Sequence, residues 1–281
     1  TPLTRSVRAA TANSLDWVYG LAEPELATSL RVYTSETYNP LYLKRHALMD
    51  QVLLGKRTDA LPTNKYYLES GNGFLKRTLD FLGTKYFVIE EARNLSSTFF
   101  ATDLFRLHIE RLYKDDRYAL YRNLDAVPRF RLYYDIRQVS DDEALRLLEE
   151  NTMDFSKTLL LEDAVPAIAP GGTGSARLVH EGIQELAFNV TSSAPGMFYL
   201  SDTYYPGWRA IVNGAETKIY RANYDFRAVS VPAGKSTVLM TYTPTNFGYW
   251  VGISVGSTVL VIGMPIYLRV GKKRQRRGFV A

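Results

Sequence analysis

The sequence predicts an α+β protein: a mixed α/β unit, then an antiparallel β-sandwich of jelly-roll or immunoglobulin-like type, then one C-terminal transmembrane helix. Three observations predict it. Helical and strand signals mix over residues 1–125, whereas short alternating runs separated by turns fill Ser175 to Thr243. Phe247 to Leu268 then carries no charged side chain and runs into Lys272, Lys273, Arg274, Arg276 and Arg277. The expected organisation is an α/β domain over 1–125, a connector with a strand and a helix over 126–174, the sandwich over 175–244, the membrane helix over 247–268 and a basic tail over 269–281.

In the first unit, Phe74, Leu75, Leu79 and Leu82 fall near helical spacing, and Gly83 supplies a stop. Lys85 to Glu90 reads as a short buried strand. Phe105 to Tyr113 and Tyr118 to Arg122 read as a hairpin around Lys114-Asp115-Asp116-Arg117. In the connector, Arg129 to Tyr134 has a strand pattern. Ser140 with Glu143 three positions on forms a capping-box pattern before Ala144, Leu147 and Leu148. Pro166, Pro170, Gly171, Gly172 and Gly174 mark a loop.

The sandwich strands are predicted at Ala176–His180, Glu185–Val190, Met197–Ser201, Trp208–Val212, Thr217–Tyr220, Phe226–Val231 and Thr237–Tyr242. Asn213-Gly214 is a two-residue hairpin signal, since a type I′ turn needs positive φ at both positions. Pro232-Ala233-Gly234-Lys235 is a second turn.

The uncharged run of about 22 residues makes a helix of roughly 33 Å, enough to cross a bilayer core. Basic residues at one end of a span mark the cytoplasmic side, so the tail is expected inside and residues 1–246 outside. Tyr249 and Trp250 suit the outer interface and Tyr267 the inner one. Gly248, Gly252 and Gly256 lie on one helical face, where small residues let a second helix approach; glycine is also simply common in membrane helices. No signal-peptide pattern opens the chain, so an exported domain of this kind is expected to be the C-terminal piece of a longer protein whose other membrane helices lie upstream.

The net charge of +5 does not point to nucleic acid. Six of the 34 basic residues lie from Arg269 onward, which leaves 28 against 29 acidic residues before the tail. The absence of cysteine excludes thiol catalysis, Cys-ligated metals and disulfides. His46, His108 and His180 are scattered without metal-ligand spacing, no nucleophile-elbow pattern occurs, and Gly171-Gly172-Thr173-Gly174 lacks the lysine of a phosphate loop. No cofactor is expected.

Three places are candidates for substrate contact. Tyr38, Asn39 and Tyr42, with Lys44 and Arg45, combine aromatic rings with cations that suit a phosphate or diphosphate. An ordinary loop leading into a helix with a solvated basic face has the same composition. Tyr205 and Trp208, in Tyr204-Tyr205-Pro206-Gly207-Trp208, offer faces for a pyranose ring, although a strand ending in a Pro-Gly turn with Trp filling the core accounts for them more simply. Asn223, in Asn223-Tyr224-Asp225, is a third candidate; a polar turn between strands is the simpler reading.

The run Tyr204 to Gly214, followed by Ile219 to Val229 and Val231 to Gly234, resembles the C-terminal region of the YfhO-like bacterial membrane proteins, multi-pass proteins allied to the GT-C-type glycosyltransferases. Leu79 to Val88, Tyr121 to Arg129 and Asn13 to Gly20 are similar in style. The resemblance implies a bacterial cytoplasmic membrane protein that takes a sugar from a polyprenyl-phosphate carrier and passes it to a cell-surface polymer such as teichoic acid. It implies that the catalytic acid lies in an early outer loop, outside this sequence, so that this part serves docking or forms a lid. Asn39 and Asn213 stand where many relatives are expected to have Asp, and Asn cannot act as a general base. The expected partners are the bilayer, the upstream membrane helices, the lipid-linked sugar and the glycopolymer. The alternatives are a non-catalytic module that binds cell-wall glycan and a structural domain that braces the membrane bundle.

Overall fold

The computed structural model describes residues 17–19, 43–53, 80–90, 108–116, 118–150, 152–164 and 168–277. Tyr38, Asn39 and Tyr42, and most of the helix predicted before Gly83, lie outside them.

The α/β unit holds a four-stranded sheet in the order β1 (Trp17–Tyr19), β2 (Thr84–Glu90), β4 (Tyr118–Asn123), β3 (Ile109–Lys114). β1 runs parallel to β2, and the other two pairs are antiparallel. Ahead of β2, Asp80 and Phe81 close a helical turn that Gly83 ends at φ 69°, its N–H donating to the Asp80 carbonyl. Asn123 donates to both the Asp80 carboxylate and the Thr84 carbonyl, which ties β4 to that turn.

From residue 130 the chain builds two facing sheets. The six-stranded sheet has the order β5 (Phe130–Tyr133), β10 (Gly196–Thr203), β14 (Phe226–Val231), β13 (Ile219–Ala222), β7 (Thr158–Leu161), β6 (Asp135–Gln138). The five-stranded sheet has the order β12 (Ala215–Thr217), β11 (Trp208–Val212), β15 (Gly234–Tyr242), β9 (Glu185–Ser192), β8 (Gly174–Glu181). The stretch 126–174 thus supplies three strands to the first sheet. β6 and β7 pair in parallel, and helix α2 (Asp141–Glu150) is their crossover. Ser140 caps α2, its Oγ accepting from the Glu143 N–H, while the Glu143 carboxylate receives Arg137 and Arg146.

One predicted strand is corrected. Thr217–Tyr220 is not one strand but the end of β12 and the start of β13, which belong to opposite sheets. The chain crosses between sheets at Lys218. Alternation says which face a residue presents but not which sheet it joins, so the crossing leaves no mark in the pattern.

Between the sheets lie Phe188, Val190, Phe198, Leu200, Val212, Val229, Val231, Val238 and Met240. The other face of the six-stranded sheet presents Met197, Tyr199, Tyr220, Ala222, Phe226 and Ala228. Helix α1 (Lys44–Leu53) covers it with Met49, Val52 and Leu53, and α2 with Ala144, Leu147 and Leu148. β10 and β14 are therefore buried on both faces, which is why Met197-Phe198-Tyr199-Leu200 is an unbroken apolar run. Phe81 joins the α/β unit to this second core, edge-on to Phe155 at 5.1 Å and 5.6 Å from Phe226.

The Asn213-Gly214 turn has φ 53° and 86°, as its sequence predicts. Helix α3 (Phe247–Arg277) continues past the predicted span into the basic residues and contains Pro265. Its segment Phe247–Pro265 is long and apolar enough to cross a membrane, with a mean hydropathy of 1.6 and none of it buried against the protein. Within it, Ser257 and Thr258 donate to the carbonyls of Ile253 and Ser254, so neither hydroxyl is left unsatisfied in an apolar surrounding.

Candidate functional site

The turn between β13 and β14, Asn223-Tyr224-Asp225, is the centre of a charged assembly. Asn223 and Tyr224 sit at φ 45° and 76°, a left-handed conformation that is unusual for a ring-bearing residue. Three contacts hold it. Asn223 is buried, accepting the Leu160 N–H at its Oδ1 (3.0 Å) and donating its own N–H to the Leu160 carbonyl (2.9 Å). Arg45 donates to the Tyr224 carbonyl from Nη2 (2.7 Å) and stacks its guanidinium 4.1 Å from the ring centre. Asp225, also buried, meets the His46 Nδ1 at 2.8 Å. The first turn of α1 is thus fastened to the sandwich through two consecutive residues.

Arg45 also reaches Asp141 and Glu162, and Glu162 in turn accepts from Arg221 at 3.1 Å. Burial, reinforced by the neighbouring Asp141, pushes the Glu162 carboxyl up to about 7. Burial works in the same direction on Asp141, but hydrogen bonds to Arg45 and Glu162 and the charges of Arg45 and Arg221 hold it below its ordinary value. The two carboxyls are thereby pushed apart: near neutrality one is ionised and the other exchanges a proton, between two guanidinium groups.

A second assembly lies at the end of the sandwich from which α3 departs. Trp208 opens β11 opposite Tyr242, the last residue of β15, with the ring centres 5.4 Å apart. Tyr205 lies 6.2 Å from Tyr242 and is partly exposed. Gly207 turns the chain at φ 105°, where a Cβ would meet the Thr243 carbonyl oxygen at 2.5 Å, so only glycine fits. Behind Trp208, Arg227 places its guanidinium 3.9 Å from the ring centre and donates to Asp202 at 3.0 Å. Arg129 holds the same carboxylate through two bonds, at 2.9 and 3.0 Å, and reaches Glu181 at 3.1 Å. Burial lowers Arg227 to about 10; Asp202 opposes the fall and the charge of Arg129 adds to it. Burial also works against Arg129, but Asp202 and Glu181 outweigh it and raise its affinity for the proton.

Tyr204 joins the two assemblies. Its N–H donates to the Asp225 carbonyl at 2.6 Å, and Arg221 stacks over its ring at 4.5 Å. Of the sequence candidates, Arg45 and Asn223 therefore meet at one turn, Tyr205 and Trp208 lie at the α3 end, and Lys44 is exposed at the start of α1. Among the described residues no group of His, Asp or Glu is arranged to hold a metal ion. Asp141, Glu162, Arg221, Arg129, Asp202 and Arg227 are additions from the structure. Arg227 left a trace in the sequence, because it shares the inward face of its strand with Val229 and Val231.

The family described as "Bacterial membrane protein YfhO" has a model that matches residues 177–254, from β8 into the first turns of α3. The match contains the Tyr204–Gly214 run that carries the resemblance. No curated protein and no solved structure matches the chain.

Proposed function

We propose that this chain is the outer-face part of a multi-pass bacterial membrane protein that moves a sugar from a polyprenyl-phosphate carrier to a cell-surface polymer such as teichoic acid. In this reading residues 1–246 face outward, the basic tail faces the cytoplasm, and the catalytic acid belongs to another part of the protein. The present part docks substrate or forms a lid over the membrane-embedded site. The observation that carries the reading is the placement of Tyr205 and Trp208 at the sandwich end from which α3 departs, where a lipid-linked sugar emerging from the bilayer meets aromatic faces. The match to a bacterial membrane protein family supports the setting. Lys44, exposed at the start of α1, is proposed to meet the carrier phosphate, and Arg45 and Asn223 to act by holding the Asn223–Asp225 turn in place.

The test is sugar transfer by the full-length protein in vesicles supplied with a polyprenyl-phosphate sugar. Tyr205→Ala and Trp208→Phe are expected to lower transfer about tenfold, the effect of losing roughly 1.4 kcal/mol of substrate contact; Tyr205→Ala, at an exposed ring, should do so at an unchanged melting temperature. The chain by itself is expected to turn over no sugar; turnover would overturn the assignment of catalysis elsewhere. A second reading, a brace for the membrane bundle, is favoured by the inward commitment of Arg45, Asn223 and Asp225. Unchanged transfer in both variants would select it.

A further inference from the structure

The hairpin between β8 and β9 carries Ile183 at its tip, fully exposed at 101% and the most exposed large apolar side chain among the described residues. A lone exposed isoleucine is ordinary on a protein surface; the position of this one is what gives it meaning. The carbonyl of Gln184 accepts the N–H of Tyr242 at 2.8 Å, and Phe247 starts the membrane-length helix five residues later. Five residues reach at most about 17 Å, so the tip lies near the level at which α3 enters the bilayer. The Tyr205 turn lies at the same end, since the Gly207 carbonyl accepts the Thr243 N–H at 2.9 Å. Gly182 and Gln184 beside Ile183 are uncharged. The nearest acids are engaged, Glu181 by Arg129 at 3.1 Å and Glu185 facing His180 at 3.8 Å.

We propose that the Gly182–Gln184 tip and Tyr205 dip into the headgroup–acyl boundary of the leaflet that α3 enters, seating the sandwich on the lipid surface. A helix that leaves through the short Thr243–Asn246 link would by itself let the domain pivot; two further contacts at separate points remove that freedom. The Trp208–Tyr242 pair is then held at a fixed height above the membrane. Ile183 fills the apolar side of the boundary, and the phenol of Tyr205 suits its mixed character. The inference rests on α3 as a span and not on sugar transfer, so either can fail alone.

Because the sequence has no cysteine, Ile183→Cys and Tyr205→Cys each give a single site for a nitroxide label. Lys235→Cys, at the opposite end of β15, is the reference. The chain is reconstituted in nanodiscs of phosphatidylethanolamine and phosphatidylglycerol, and collisions of the label with oxygen and with a water-soluble nickel chelate are measured. The ratio of oxygen to nickel collisions is expected to be several-fold higher at 183 and 205 than at 235. Equal ratios at all three positions would overturn the proposal, as would dipolar broadening between labels at 183, which would show a second copy covering the tip. Ile183→Asp, at a site with no packing to lose, should fold normally and abolish the difference at 205.

Discussion

The guanidinium of Arg227 lies 3.9 Å from the centre of the Trp208 ring and is almost fully buried, with its Nη1 lacking a hydrogen-bond partner. Arg129, its neighbour across Asp202, has ionic partners on two sides. Removing one member of a buried ion pair costs about 3–5 kcal/mol because the other is left uncompensated. Arg129→Met should approach that loss, since it takes two of the three guanidinium bonds from the Asp202 carboxylate and the Arg129 bond from Glu181. Arg227→Met leaves Asp202 still held through two bonds by Arg129 and forfeits one bond to that carboxylate together with a cation–π contact worth about 2 kcal/mol. Thermal unfolding in detergent should rank the two in that order, and the reverse order would refute the assignment.

Glu162 gives a pH dependence of definite sign. Its folded value of about 7 lies above the ordinary 4.5, so the folded state binds the extra proton between them. The stabilisation is complete below 4.5 and is lost as pH rises to about 7. Asp141, shifted the other way, contributes above its ordinary value and loses that contribution only in more acidic solution. Glu162→Gln, which mimics the protonated form, should flatten the stability profile between 4.5 and 7 relative to the parent, as read from melting temperatures across buffers.

At Gly207 a side chain meets two obstacles at once, a positive φ and the Thr243 carbonyl. Strain of this kind costs about 1–3 kcal/mol, and Gly207→Ala should fall at the upper end. Its melting temperature should drop more than that of Gly214→Ala, where φ is also positive but no atom lies within 4 Å of an added Cβ.

Leu148 is fully buried where α2 meets the six-stranded sheet. Leu148→Ala is expected to cost about 2–5 kcal/mol through lost burial and a residual cavity. Denaturant unfolding measures it directly.

Local chemistry made much of the fold legible in advance. Asn213-Gly214, the Ser140 cap, the alternating strands and the uncharged run each announce themselves within a few residues. What the sequence hid was pairing at a distance. Phe130–Tyr133 joins a strand more than sixty residues later, as the pairing of Met197 with Tyr133 shows. Arg45 meets Tyr224 across 179 positions. No local pattern distinguishes an arginine that will stack on a distant tyrosine from one that stays in solvent, so Lys44 and Arg45 read alike although only Arg45 is drawn inward. Ile183 is hidden in the sequence for the related reason that one apolar residue in a turn is unremarkable until its exposure and the nearby helix are seen.

β10 and β14 serve as a party wall, with the inter-sheet filling on one side and the helical cover on the other. Neither room can be emptied without bringing down the wall of its neighbour. Helix α1 and the two facing sheets should therefore melt as one cooperative block, and a lesion in the helical cover will be felt at the aromatic corner from which α3 departs.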